Sequence, residues 1–169
     1  MQETDTVLHS EKELLLSEVK EFNPDLIVSY RYRHILKKDI LSIPRLGSVN
    51  LHTSFLPYNR GAEPHIWSQL DGTPQGISIH LIDEGIDTGP IIARKVIHTN
   101  GEMTIAEVYT TLQTELKELF KSYFELIKSG EYDTYKQVIV RKLHLLKDCP
   151  VYSHNSSVKM KDISDKKTD

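Results

Sequence analysis

The sequence predicts an α/β fold with an open, mainly parallel sheet and flanking helices. Strand-like and helix-like segments alternate along the chain, the pattern of a sheet whose strands are joined by crossover helices. The run Leu26–Tyr30, LIVSY, is short and mostly apolar, as expected of a parallel strand covered on both faces. The 169 residues suit one domain with a real core.

Taken in order, Ser10-Glu11-Lys12-Glu13 has the form of a capping box, and Leu15, Val19 and Phe22 follow at helical spacing. A helix is therefore expected from about Glu11 to Phe22, ended by Asn23-Pro24. Lys37–Ser42 reads as a short helix, Pro44–Gly47 as a loop, and Val49–His52 as the next strand. A helix over Ala62–Leu70 should close near Gly72. Gly76–Ile82 sets Ile77, Ile79 and Leu81 against Ser78 and His80, a strand signal; Pro90–Ile97 is another, with the turn DEGIDTGP between them. Thr104-Ile105-Ala106-Glu107 is a second capping box. It opens the longest helix, striped by Val108, Leu112, Leu116, Leu119, Phe120, Phe124 and Ile127 up to Gly130. Past Pro150 the chain turns polar and lysine-rich, so residues 151–169 are expected as a loose tail behind a domain at 1–150.

Composition narrows the function classes. With 38% hydrophobic and 27% charged residues the chain is neither disordered nor membrane-like. A net charge of −3, with basic residues interspersed among acids, argues against a nucleic-acid binder. Cys149 is the only cysteine, which excludes an internal disulfide and a cysteine-cluster metal site and fits a reducing compartment. No apolar run has the length of a membrane span or a signal segment, so the cytoplasm is the expected location.

The stretch Val49–Gly61, VNLHTSFLPYNRG, carries the strongest functional signal. Period two puts Asn50 and His52 on one face of a strand and Val49 and Leu51 on the other. Two polar side chains on one strand face mean either chemistry or a buried hydrogen-bond network. His80 and His98 are expected on strands without a carboxylate or cysteine at ligand spacing, which argues against a metal site. Trp67 is expected to pack its helix rather than stack on a ligand.

The segment Asn50–Pro90 resembles the formyltransferases that use N10-formyltetrahydrofolate as donor. Three pieces carry the resemblance: Asn50-Leu51-His52 with Ser54-Phe55-Leu56-Pro57 and Arg60-Gly61, then Pro64 with Trp67, then Ile82-Asp83-Glu84-Gly85-Ile86-Asp87-Thr88-Gly89-Pro90. The strand Pro24–Tyr30 is also similar to the family's fourth strand, so the likeness spans roughly residues 11–130. It implies a Rossmann-like formyltransferase domain lacking the family's opening strands, with Asn50, His52 and Asp87 as catalytic residues. It further implies N10-formyltetrahydrofolate as donor co-substrate with no metal. The donor pocket would be formed by Tyr30, Tyr32, Ile35, Leu36, Ile82, Asp83, Gly85 and Ile86, with His34 exposed beside it, and the acceptor would meet Tyr58, Arg60 and Gly61.

The chemistry needs these residue types. Attack of an amine on a formyl carbon builds a tetrahedral centre with an anionic oxygen and an ammonium that must lose a proton. Asn50 can donate to that oxygen without titrating, and His52 can assist there or move the proton near neutral pH. Asp87 can orient or charge His52, or take the amine proton itself, and the residues leave these roles open. Arg60 suits either an anion-facing or a loop-locking role.

Among the acceptors used by this family, the turn Pro57-Tyr58-Asn59-Arg60-Gly61 is most similar to that of the enzymes acting on nucleotide-linked amino sugars. Methionyl-tRNA and glycinamide ribonucleotide are the alternative acceptors, and a folate-binding or inactive remnant of the family is the rival from another class. Without the opening strands, Leu26–Tyr30 would be a sheet edge, so self-association or a partner chain covering it is expected.

Overall fold

The computed structural model describes residues 5–138, 143–148 and 156–164; Cys149, Pro150 and part of the expected tail lie outside these. The sheet runs in the order β1 (Ile27–Tyr30), β2 (Ser48–His52), β4 (Gly76–Leu81), β5 (Ile91–Val96), so β1 is an edge of the described sheet. β1 and β2 are parallel, with Ser29 opposite Asn50 and Tyr30 opposite Leu51. β2 pairs antiparallel with β4, and β4 antiparallel with β5.

The described sheet is therefore mixed, which corrects the expectation of a mainly parallel one. The reason lies in the connections. Between β1 and β2 the chain passes through α2 (Lys38–Leu41) and returns to the starting end of the sheet, as parallel pairing requires. The loop 82–90 between β4 and β5 is a direct reversal, and that permits only antiparallel pairing.

The two faces differ in chemistry because the side chains alternate. Val49, Leu51, Ile77, Ile79 and Ile92 point to one face and meet Ile105, Val108, Leu112 and Leu116 of α4 (Ile105–Ser129). Fully burying each such side chain stabilises by roughly 1.5–3 kcal/mol. The start of α4 matches expectation: the Glu107 N–H donates to Thr104 Oγ1 at 3.2 Å, and the Thr104 N–H donates to the Glu107 carboxylate at 2.7 Å. Gly130, at φ +74°, ends the helix.

By the same alternation and register, the opposite face carries Ile27, Ser29, Asn50, His52, Ser78 and His80. Its apolar end is covered by α1 (Leu16–Phe22) and α2, through a cluster of Val19, Leu36 and Ile40 that also gathers Ile27 and Ile82. Its polar end is left for the loop 82–90. The helix expected from Glu11 begins only at Leu16, because Tyr32 takes the preceding backbone: its hydroxyl accepts from the Leu14 N–H at 2.8 Å and donates to the Lys12 carbonyl at 2.9 Å. Glu18, not the Ser10 box, meets the first free N–H, that of Leu15, at 3.3 Å.

The described part of the expected loose tail is packed. Ser156–Lys159 runs beside the start of α4, with Ile105 N–H donating to the Val158 carbonyl at 2.9 Å, and leads into α5 (Met160–Ser164). Met160 and Ile163, 1% and 0% exposed, belong to the main core. A lysine-rich composition hid two apolar residues at helical spacing. Ile163→Ala is expected to lower unfolding free energy by about 2–5 kcal/mol in urea titration, whereas a loose tail would give a change within about 0.5 kcal/mol.

Candidate active site

Each side chain at the polar end of the sheet is held by its own element. Asn50 and His52 leave β2 on one face, and His80 stands beside Asn50 from β4, its register partner. Asp87 comes from the loop 82–90 in the left-handed conformation, φ +52°. That turn is fastened from within: Asp83 accepts from the Gly85 N–H at 3.1 Å and the Thr88 hydroxyl at 2.5 Å. Gly89 packs so closely that an added Cβ would strike the Leu81 carbonyl oxygen.

The three predicted residues meet around the Asp87 carboxylate. The Asn50 side-chain amide donates to Asp87 Oδ1 at 3.1 Å, and the Gly61 N–H donates to Oδ2 at 2.8 Å. His52 Nδ1 lies 3.7 Å from Oδ2. His52 Nε2 is 3.3 Å from the Asn59 carbonyl, an acceptor without a proton of its own, so Nε2 carries the hydrogen. The Nδ1 lone pair therefore faces the carboxylate and the site.

Electrostatics fix the resting charges. Burial lowers the His52 pKa below the usual 6.5; the Asp87 charge opposes this and His80 adds to it. Burial alone would raise the Asp87 carboxyl, but the charge of His52, the hydrogen bond and charge of His80 and the Gly61 N–H together hold it well below the ordinary carboxylate range. At neutral pH the arrangement is a neutral imidazole beside an anionic carboxylate.

The expected acceptor turn adjoins this group. β3 (Arg60–Gly61) pairs in parallel with β6 (Leu143–His144), and the Ala62 N–H donates to the His144 carbonyl at 3.0 Å. Gly61 has φ +95°, and a Cβ there would run into the His144 backbone oxygen. Arg60 is 9% exposed, a buried residue rather than a solvated loop cation. Tyr58 is half-buried, its carbonyl accepting from Ser54 at 2.9 Å in the turn that contains the cis Leu56–Pro57 bond. Trp67, as expected, packs: its ring stacks on His144 at 4.0 Å and 13°.

The expected donor-pocket residues divide. Ile35 and Ile86 are 73% and 40% exposed, open apolar surface on the two loops beside the site. Asp83 and Gly85 shape the Asp87 loop. Tyr30 shares the face of Leu51, not of Asn50, and its hydroxyl donates to Gln113 on α4, so its side chain serves the core side. Leu36 is buried under α1 and α2, where Tyr32 and Ile82 also pack. His34 is exposed as expected, while His98 lies just past β5 rather than on a strand.

Two residues at the site were not anticipated. His80 is 2% exposed, and its Nε2 is 3.2 Å from Asn50 Nδ2 and 3.3 Å from Asp87 Oδ1. Its position two ahead of Ile82, with an inward face shared with Ser78, was the available signal. Gln137 donates from Nε2 to the carbonyls of both Asp87 and Gly89, at 2.9 and 2.8 Å. No local pattern pointed to it, because it reaches the loop across fifty residues of chain.

The polar cluster of amide, imidazole and carboxylate lies at the end of an open α/β sheet beside a glycine-rich loop, where such sheets place their ligands. The formyl transferase family model matches residues 4–123, and the chain belongs to that family. It is 35% identical over 133 residues to a methionyl-tRNA formyltransferase of Clostridium botulinum, covering 78% of this chain and 43% of that protein. The chain thus spans less than half the length of the first curated relatives it matches. Among solved structures it is similar to the formyltransferase PseJ from Anoxybacillus kamchatkensis in complex with UDP-4,6-dideoxy-4-formamido-L-AltNAc and tetrahydrofolate. That match has a TM-score of 0.78 and 36% identity, covering 82% of this chain and 74% of that one. It is also similar to an N-formyltransferase from Helicobacter canadensis in complex with folinic acid and dTDP-3-aminofucose, with TM-score 0.65, 27% identity, and coverage of 73% and 46%. Among the described residues no helix is long and apolar enough to cross a membrane.

Proposed function

We propose that this chain transfers a formyl group from N10-formyltetrahydrofolate to the primary amine of a nucleotide-linked amino sugar. The observation that carries the reading is the convergence of Asn50, His52 and Gly61 on the Asp87 carboxylate, in a chain of this family. The donor ring lies between the loops 30–36 and 83–90, against Ile35 and Ile86, whose exposed apolar surface suits a pterin. The Asn50 amide donates to the formyl oxygen as it becomes anionic. His52 accepts the proton of the attacking amine at Nδ1, and Asp87 stabilises the imidazolium that results. That proton then reaches the departing folate nitrogen.

The amino-sugar acceptor is favoured by the likeness to PseJ, whose structure holds a formylated UDP-sugar and which this chain covers over 74% of its length. Methionyl-tRNA is the second reading, favoured by the identity to the Clostridium botulinum enzyme. The chain is to be incubated with the donor and, separately, dTDP-, UDP- and GDP-amino sugars and methionyl-tRNA. Mass spectrometry is expected to show one added formyl group on an amino-sugar nucleotide. Formylation of methionyl-tRNA alone would establish the second reading, and no formylated product from any acceptor would overturn both.

A further inference from the structure

We propose that His80 is a positioning residue that sets the hydrogen-bonding state of Asn50, and through it decides whether the Asn50 amide is available to the reacting oxygen. The inference rests on the formyl-transfer reading and concerns a residue outside the trio of Asn50, His52 and Asp87.

The geometry fixes the imidazole. His80 Nδ1 is 2.8 Å from the carbonyl oxygen of Leu81, which has no proton to give, so Nδ1 carries the hydrogen in the neutral ring. Nε2 is then a lone pair, 3.2 Å from Asn50 Nδ2. An amide nitrogen has two hydrogens. One goes to His80 Nε2 and the other to Asp87 Oδ1 at 3.1 Å, so the neutral ring consumes both. Asn50 then has no N–H left for a substrate oxygen.

Protonation of His80 changes this count. Nε2 becomes a donor and can no longer accept from Asn50; its nearest acceptor is Asp87 Oδ1, 3.3 Å away. One Asn50 N–H is released while Asp87 keeps a donor at Oδ1. The ring is only 2% exposed, and Asp87 Oδ1 is the acceptor that faces Nε2 there. The other titratable group facing His80 is His52, with ring centroids 6.3 Å apart. Like charges oppose each other, and His80 lowers the His52 pKa. The geometry gives the two rings different tasks: a proton on His80 Nε2 frees Asn50, while His52 Nδ1 is the lone pair that accepts from the amine.

The test uses the full chain labelled with 15N and titrated from about pH 5 to 8, the range of histidine switches. The His80 ring signals, assigned by their loss in His80→Gln, are expected to report an Nδ1–H tautomer in the neutral form. The Asn50 side-chain amide signals are expected to shift with the same inflection as His80, and to lose that inflection in His80→Gln. Asn50 signals fixed while His80 titrates, an inflection that survives in His80→Gln, or a His80 that does not titrate in this range would each overturn the proposal.

Turnover provides a second readout, with N10-formyltetrahydrofolate and UDP-4-amino-4,6-dideoxy-L-AltNAc, the amine counterpart of the sugar bound to PseJ. His80→Leu cannot accept from Asn50 at any pH, so the parent kcat is expected to fall as pH rises through the inflection of the Asn50 amide signals, and His80→Leu is expected to lose that limb with the donor KM unchanged. A basic limb that persists in His80→Leu, or a parent profile with no limb at that inflection, overturns the proposal. A parent chain without turnover counts against the acceptor reading instead, and the titration then decides the role of His80 alone.

Discussion

Asn50→Ala is expected to lower turnover by about 10²–10³ while donor binding stays nearly intact, the loss that follows removal of one preorganised oxyanion donor. The side chain reaches Asp87 and His80 at 3.1 and 3.2 Å and is only half-buried, so it has a face open to ligand. A purely structural asparagine would behave differently. Its removal would leave Asp87 Oδ1 short of a donor and cost roughly 1–3 kcal/mol of stability, with activity falling only as the fold is lost. Melting and turnover are therefore measured on the same preparation. A stable variant with parent turnover removes Asn50 from the chemistry. The pair Asn50→Ala/Asp87→Asn should be much less than multiplicatively worse than either single variant, since both act on one transition state.

His52→Ala is expected to cost on the order of 10²–10⁴ in turnover, the range for a general acid–base residue. The pH dependence gives the sharper test. Burial holds the folded pKa of His52 below 6.5, so the ring is neutral and able to accept a proton at pH 7. Activity should then be lost on acidification, with an acid limb lying below 6.5. An acid limb above that value, or a pH profile unchanged in His52→Ala, would remove His52 as the proton acceptor. Stability moves in the same direction. Below 6.5 the unfolded histidine binds more protons than the folded one, so acidification favours unfolding. The low pKa of Asp87 adds to this below 3.8, where the unfolded carboxyl takes up a proton that the folded one still refuses.

Much of the candidate site was legible because its signals are local. Asn50 and His52 are two residues apart on one strand, and alternation alone puts them side by side. The DEGIDTGP turn announces a special backbone, and Asp87 indeed sits at φ +52° within it. The capping box at Thr104 and the stripe of α4 were readable for the same reason, since each pattern is written within a few turns of helix. The Ser10 box misled because such a box proposes a helix start without enforcing it. Tyr32, distant in sequence, took the backbone groups at Lys12 and Leu14.

What escaped the sequence depends on long-range pairing. The mixed direction of the sheet follows from how loops return the chain, and apolar alternation reads the same in either direction. Burial of Met160 and Ile163 needs the surfaces of α3 (Pro64–Asp71) and α4 that receive them, and composition describes only the lysines around them. The sequence by itself determined the class of fold, the Asn50–His52 face and the loop that delivers Asp87, all set by periods and turns a few residues long. Only the tertiary structure decided that His80 shares the hydrogen bonds of Asn50, that Gln137 braces the Asp87 loop, and that β6 locks Gly61 against it. These contacts join residues thirty to more than eighty positions apart, and their energy is realised only when the sheet has closed and water has been excluded around them.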